Sequence, residues 1–582
     1  MTDEELTPEA PVQDIDAPAV KTPRRGVRGW FAWIFRLPRT FGGLCGGLVF
    51  LWWSLTPGLL PRPWFAQAAA SAILMATGYG LGSGLSALLR KVLPREPGAA
   101  VKRLAWRSLA AAAVVGTVVM VILSKRWANE LRGLMGIKEE PDFSVIALLV
   151  LTLVLTVVLL VGARLIRSLA RFLIRQVNRV LPHPVSVAIG VALAVFIVVG
   201  FAQGFLWQQL IGVANSAAGT VDGTTTEGTR RPTSELRSGS PASKSSWDTL
   251  GRMGRDFVGR GPTVEELETF NGGRATGDVT CCTEPIRVYA GLDSADNVKD
   301  RAALVVRELE RTGGFERKVL VVFNATGTGW INPRAADAIE YMYGGDTAEA
   351  SMQYSFLPSW ISFLVDQTKA QEAGEALIDA VEAKIQTIPE ASRPKLLFYG
   401  ESLGSFATEA AFDSVDDLRK NVDGALLVGP TFSNKFWRAL LDERDPGSPM
   451  WHPTLPRERG IVFATTPADL EGPIFPSSGG RVLYLQNPSD PICWWSRTLW
   501  RDKPDWAKSP APPDRSSGFG WTPIVTFWQV TMDLADSLGV PTGYGHNYGS
   551  NVADGWVAIA PPDGWTAADT ARLKAAVGES GD

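Results

Sequence analysis

The sequence predicts two parts of different class. An N-terminal α-helical membrane domain of about five spans precedes a doubly wound α/β domain with a mostly parallel sheet. Three observations carry this reading. Long uncharged apolar stretches crowd the first 215 or so of the 582 residues. Lys and Arg concentrate before residue 183, beside those stretches. From Glu284 onward, short apolar runs alternate with amphipathic segments of helical period. The net charge is −3, which gives no reason to expect a nucleic-acid partner. Four cysteines exclude a disulfide-built scaffold. None sits in a C-x-x-C, so neither a metal site nor a cofactor is expected.

Residues 1–41 open with an acidic, Pro-rich, aperiodic tail expected to be disordered. A basic stretch follows, in which Arg24, Arg25, Arg28, Arg36 and Arg39 alternate with Trp30, Phe31, Trp33 and Phe35. That pattern suits an anionic lipid surface.

Residues 42–214 are expected to cross the membrane. The candidate spans are 42–60, 65–89, 104–123, 143–166 and 185–211, each near the length a bilayer core requires. The second is rich in glycine, which suits close helix packing. Basic residues flank the N-terminus and fill the segments after spans two and four. The positive-inside rule then places the N-terminus in the cytoplasm and everything after Ile211 outside it. Residues 215–246 are polar and read as a flexible tether. Residues 247–582 are expected to form the α/β domain.

Its strands are expected at 286–290, 318–323, 396–399, 424–428, 461–464 and 482–485, with helices at 296–312, 367–388, 405–412, 525–538 and 567–577. Between the strand at 396–399 and the helix at 405–412 lies Gly400-Glu401-Ser402-Leu403-Gly404. Strand, sharp turn and helix around G-x-S-x-G are the context of a nucleophile elbow. Gly400 and Gly404 flank the serine because a side chain at either would meet the facing chain. Without this context, a Gly-rich turn of no chemical interest would account for the motif.

A serine hydroxyl becomes a nucleophile when a base takes its proton, and that base is a histidine oriented by an acid. The chain has three histidines. His183 falls just before the fifth span, on the cytoplasmic side. His452, in Trp451-His452-Pro453, reads as lining the site or packing under Trp451. His546, in the Gly-rich loop 543–549, is the one that follows the last expected strand. The acid should sit on a turn after a late strand. Asp490 does so after 482–485, and Asp469 after 461–464 is the runner-up. The oxyanion requires two preorganised N–H donors. One is expected from Leu403, and the other from the loop 324–330, with Thr326 or Gly327 as the choices.

Through Gly400 to Gly404, Asp490 and His546, residues 284 to 580 resemble the α/β-hydrolase superfamily. The whole arrangement is similar to actinobacterial multi-span membrane proteins that carry a C-terminal α/β-hydrolase domain. The resemblance implies the fold and Ser-His-Asp chemistry, and it implies no substrate. Glu401 departs from it by placing a carboxylate beside the nucleophile, where it either raises the basicity of the site or faces solvent.

If the domain is extracytoplasmic, one of the adjacent Cys281 and Cys282, with Cys282 the choice, can bridge to Cys493 and pin the acid loop; buried free thiols are the other reading. Trp437, Trp451 and Phe475, with Trp494, Trp495, Trp500, Trp506 and Trp521, are expected to form a cap over the site, to rest on the bilayer, or to pack in the core. The expected function is a membrane-anchored serine hydrolase acting on an amphiphilic or cell-envelope ester. An acyltransferase using the same three residues on envelope lipid or glycan is one alternative, and a non-catalytic membrane scaffold or binding module is another. The expected partners are the lipid bilayer and that substrate.

Overall fold

The structure, a computed structural model, describes residues 40–92, 98–139, 144–179, 182–200, 221–273, 282–357, 362–363, 367–472, 474–508 and 510–579. The acidic tail and the basic stretch at 21–39 lie outside them.

The N-terminal region is helical: α1 (Phe41–Ser54), α2 (Trp64–Val92), α3 (Ala99–Leu134), α4 (Ser144–Val177) and α5 (His183–Gly200). Three of these, α2, α3 and α4, are long and apolar enough to cross a membrane. Of the five expected spans, three are thus matched among the described residues by a helix long and apolar enough. Helix α1 has 14 residues, roughly 21 Å at the helical rise, against a hydrocarbon core of about 30 Å. It stops at Ser54 because Pro57, Gly58, Pro61 and Pro63 follow. The fifth expected span is described only as far as Gly200, and residues 201–211 lie outside the description.

Helices α1 and α2 pack at close range through glycine. A Cβ on Gly46 would come 2.3 Å from the Gly78 carbonyl, and one on Gly82 would come 2.0 Å from the Gly42 carbonyl. Small residues let the two backbones approach, and serines tie them together: Ser54 donates to Ser71 Oγ at 2.8 Å. On α3, Val114, Val115, Val118 and Ile122 are all more than half exposed, as expected of a lipid-facing stripe. Residues 157–195, the second half of α4 and most of α5, form a compact unit of their own. Within it Gly190 lies directly against Ile174.

Residues 221–246, read as a tether, are packed. Ser238 N donates to the Arg287 carbonyl at 3.0 Å and Arg287 N to the Leu236 carbonyl at 3.3 Å. The polar side chains of this segment serve backbone groups: Ser245 Oγ donates to the Tyr289 carbonyl, and Arg237 Nη1 to the Val258 carbonyl. The open edge of the sheet is thereby covered.

The C-terminal region is a seven-stranded sheet in the order β1-β3-β2-β4-β5-β7-β6. In chain order its elements are β1 (Ile286–Ala290), α6 (Val298–Thr312), β2 (Val319–Asn324), α7 (Pro333–Met342), β3 (Thr347–Met352), α8 (Gln367–Gln386), β4 (Lys395–Glu401), α9 (Leu403–Ala410), β5 (Gly424–Val428), β6 (Ile461–Ala464), β7 (Arg481–Leu485), α10 (Val525–Asp533), α11 (Asn551–Ile559) and α12 (Ala567–Glu579). Every strand pairing is parallel. Alternation along the strands divides the core in two. Val288, Leu320, Phe398 and Leu427 face α6 and α8. Tyr289, Val321, Tyr399 and Leu426 face α7, α11 and α12. Such a doubly wound sheet presents its loops beyond the carboxyl ends of the strands, and the candidate site lies there.

Strand β3 was not expected. Its sequence, Thr-Ala-Glu-Ala-Ser-Met, lacks β-branched and aromatic residues after Thr347, yet all six residues are buried. Glu349 is buried there 3.7 Å from Arg287 Nε, and burial pushes its carboxyl pKa well up.

Candidate active site

The turn after β4 is the most strained point of the sheet. Ser402 has φ 56° and ψ −119°. Among the described residues only it and Ile524 combine a side chain with positive φ. That conformation costs about 1–3 kcal/mol and persists where the surroundings fix it. Here Ser402 N donates to the Val428 carbonyl at 2.9 Å, and its own carbonyl accepts Ser405 Oγ at 2.7 Å. A Cβ on Gly400 would lie 2.4 Å from the Gly404 carbonyl carbon, and one on Gly404 would lie 2.2 Å from the Asn324 carbonyl oxygen. Both glycines are therefore required by close approach, as the motif suggested.

Asp490 lies beyond β7 and is fully buried. Its Oδ1 accepts Ile492 N at 2.8 Å, capping the turn Pro491–Trp494. Its Oδ2 lies 2.6 Å from His546 Nδ1 and accepts the Tyr548 hydroxyl at 2.8 Å and the Cys493 thiol at 3.4 Å. The loop that carries His546 is held on both sides. His546 N donates to the Ser537 carbonyl at 2.8 Å, Gly545 N to Ser489 Oγ at 3.1 Å, and Asn487 Nδ2 to the Gly545 carbonyl at 2.9 Å. Gly429, at the end of β5, leaves room for the imidazole: a Cβ there would meet His546 Cε1 at 2.4 Å. His546 Nε2 is buried and has no protein hydrogen-bond partner among the described residues. Burial pulls the His546 pKa down. The charge and hydrogen bond of Asp490, helped by Glu401, outweigh it and leave the pKa raised.

Ser402 and His546 line one cavity of about 440 Å³. Its wall is Met253, Trp330, Ile492, Leu534 and Leu538, with Thr326, Thr328 and Glu401 near the serine. The geometry can thus present a hydroxyl, a buried imidazole nitrogen and an apolar chamber to the same ligand.

The other expected residues fall elsewhere. Asp469 faces His452, its Oδ1 3.2 Å from Nε2. His452 stacks on Trp451 with centroids 5.7 Å apart and is not part of the cavity lining. Although burial raises the Asp469 pKa, hydrogen bonds from His452, Thr465 N and Thr466 N hold the carboxylate well below its usual range. Glu401 does not face solvent. It is buried, and its Oε2 accepts Tyr399 Oη at 2.6 Å and Asn332 Nδ2 at 2.8 Å. Burial raises its pKa, and the nearby His546 opposes that rise.

Leu403 is the first residue of α9, where helix amides lack intrahelical partners. The two choices for a second oxyanion donor are corrected. Thr326 N donates to the Trp330 carbonyl at 3.1 Å and Gly327 N to Tyr354 Oη at 2.8 Å, so both amides are committed. The loop is a tight turn closed by the Thr326–Trp330 bridge.

The expected Cys282–Cys493 bridge is also corrected. Cys282 packs with the core on the α7 face and Cys493 with the core on the opposite face, so the sheet separates them. Cys493 is a buried thiol whose pKa is pushed well up by burial and by Asp490. The tryptophan cap is absent from the cavity lining. Trp437, Trp494 and Trp506 are buried and pack on one another with centroids 5.7 and 6.2 Å apart. Three contributors escaped the sequence reading. Tyr548 and Gly429 gave only faint signals, a tyrosine in the histidine loop and a glycine ending a strand. The wall 534–539 was hidden inside an expected helix. Among the described residues no group of three or more His, Cys, Asp or Glu is placed to hold a metal ion.

Comparison with known families agrees with this architecture. Residues 286–573 match the model of an alpha/beta-hydrolase family, and residues 55–262 match the model described as the N-terminus of an alpha/beta-hydrolase family. No curated protein and no solved structure matches the chain. The two matched segments together take in most of the sequence: the chain belongs to the alpha/beta-hydrolase family.

Proposed function

We propose that the protein is a membrane-anchored serine hydrolase that cleaves an ester of an amphiphilic substrate through an acyl-enzyme. Ser402 Oγ attacks the carbonyl carbon. His546 Nε2 takes the serine proton and returns it to the leaving alcohol, and water then releases the acyl group by the same steps in reverse order. Asp490 fixes the imidazole through Nδ1 and stabilises the imidazolium. The Leu403 amide, at the start of α9, donates to the oxyanion. One observation carries the reading: a histidine bonded at 2.6 Å to a buried aspartate, its other nitrogen without a partner among the described residues, lines the same cavity as a strained serine.

The apolar wall suits an acyl chain. Acyl transfer to a hydroxyl is the second reading, favoured by a neighbouring cavity of about 430 Å³. That cavity shares Met253 and Trp330 with the first and is lined by Asp256, Arg260, Glu266 and Asp337.

We assign the catalytic region to the extracytoplasmic face. The loop 55–63 and the C-terminal end of α3 both pack on it, as in Tyr544 Oη donating to the Leu134 carbonyl at 2.9 Å. The basic residues Arg90, Lys91, Lys102 and Arg103 lie at the other ends of α2 and α3, and the positive-inside rule assigns those ends to the cytoplasm.

The test is hydrolysis of p-nitrophenyl esters of graded acyl length by the full-length protein in lipid nanodiscs. Turnover that Ser402→Ala abolishes supports the reading. Turnover equal in Ser402→Ala removes it. Diversion of acyl groups to an added polyol, at unchanged nitrophenol release, selects transfer over hydrolysis.

A further inference from the structure

Asp533 ends α10 and is fully buried. Its partners come from the other end of the chain. Arg62 Nε donates to Oδ1 at 2.5 Å, and Leu59 N donates to Oδ2 at 2.9 Å. Arg62 is itself buried, and its Nη1 donates to Gln67 Oε1 on α2 at 2.5 Å. Gly58 permits this approach: a Cβ there would come 2.4 Å from Asp533 Oδ2 and 2.2 Å from Arg62 Nη2. One turn earlier on α10, Gln529 Nε2 donates to the Thr56 carbonyl at 2.7 Å.

The residues immediately after Asp533 are the wall of the candidate catalytic cavity, Leu534 to Gly539. Within that wall the Ser537 carbonyl accepts His546 N. The same loop reaches the histidine loop directly, since a Cβ on Gly545 would lie 3.3 Å from Leu60 Cδ2. Two short paths therefore join the α1–α2 loop to His546, one through Asp533 and the wall and one through Leu60 and Gly545.

We infer that the α1–α2 loop of the membrane region is a working part of the catalytic site, with Arg62 the positioning residue that holds the cavity wall and His546 in register through Asp533. The inference rests on the catalytic reading of His546. A buried ion pair adds little net stability, but loss of one partner leaves the other charge unpaired. Asp533 without Arg62 then draws water or a proton, and the wall beside it shifts. A displacement of about 1 Å at a general base costs up to about 100-fold in rate. The substrate chamber is in this way tied to the hairpin that sits in the bilayer, and residues 247–582 alone lack the brace.

The test uses the full chain in lipid nanodiscs, comparing wild type, Arg62→Ala and Arg62→Lys by hydrogen exchange and by the rate and pH profile of fluorophosphonate labelling. In Arg62→Ala, exchange across 534–546 is expected to quicken about tenfold while β4, β5 and β7 stay protected. Labelling is expected to slow about 10- to 100-fold, with its acid limb shifted to lower pH as the His546–Asp490 alignment loosens. Arg62→Lys, which keeps the charge without the fork, falls between. Wild-type exchange at 534–546, or a wild-type labelling rate and acid limb, overturns the inference. If Arg62→Ala unfolds the whole chain, Arg62→Lys decides by the same two readouts. Wild-type protein that never labels refutes the proposed activity, while hydrogen exchange still reads the brace.

Discussion

The Tyr548 hydroxyl and the His546 imidazole share one oxygen, Oδ2 of Asp490, at 2.8 and 2.6 Å. Both side chains come from one five-residue stretch, Tyr544 to Tyr548, so a single loop supplies the proposed base and a donor that restrains Asp490. A hydrogen bond to a buried carboxylate is worth about 1.5–3 kcal/mol. It also takes up part of the charge that would otherwise hold a proton on the imidazole. Tyr548→Phe is expected to lose stability of that order in a denaturant melt. Its labelling rate should have an acid limb at higher pH than wild type, because Asp490 then holds the imidazolium more tightly.

His546 has a pKa raised above the ordinary 6.5. The base must be neutral to accept the serine proton, so activity should rise through that pKa, with its acid limb above 6.5. Asp490→Asn removes the charge that raises it. The limb is expected to fall to lower pH and the rate to drop by about 10,000-fold. Asp469→Asn, which changes a carboxylate outside the cavity lining, should leave the rate within about twofold. An equal loss in both variants, measured as ester turnover, would reassign the acid.

Between α1 and α2 the backbones approach closely at Gly82, where a Cβ would lie 2.0 Å from the Gly42 carbonyl. Gly82→Ala must part the two helices and should cost about 1–3 kcal/mol. A lower thermal midpoint in detergent checks this, and an unchanged midpoint would contradict the close packing.

Glu382, half-buried on α8, has a pKa raised to about 7, first by burial and then by the charges of Asp379 and Asp417. The folded chain therefore holds an extra proton between pH 4.5 and 7. Its stabilising effect is complete below 4.5 and is lost as pH rises through 7. Solvent screening at this partly exposed site reduces the effect to about 1 kcal/mol. Glu382→Gln should be more stable than wild type by that amount at pH 8 and equal to it at pH 4, measured by melts at both values.

Periodicity made the sheet legible in sequence wherever a strand was apolar. Leu396 to Tyr399 and Gly424 to Val428 declared themselves, whereas Thr347 to Met352 did not, because an acid that pairs across the fold with Arg287 looks local and polar when read in line. The serine turn was legible because strain forces glycine on both sides. His546 was found by elimination among three histidines. The oxyanion amides were illegible, since the direction of an N–H depends on a bridge such as Thr326–Trp330 that no residue type announces. The tryptophans misled for the opposite reason: an amphipathic side chain suits a cap, a bilayer or a core equally, and Trp437, Trp494 and Trp506 went to the core. The polar segment 221–246 read as a tether because its serines and arginines satisfy backbone groups that only the fold brings near.

The proposed mechanism makes Ser402 an activated nucleophile in the intact membrane protein. The most direct measurement is peptide mapping of the adduct after fluorophosphonate treatment of the full-length protein in nanodiscs. A single modified serine, Ser402, is expected, with modification lost in His546→Ala while that variant remains folded. Modification at another serine, or none at Ser402 in folded wild-type protein, would contradict it.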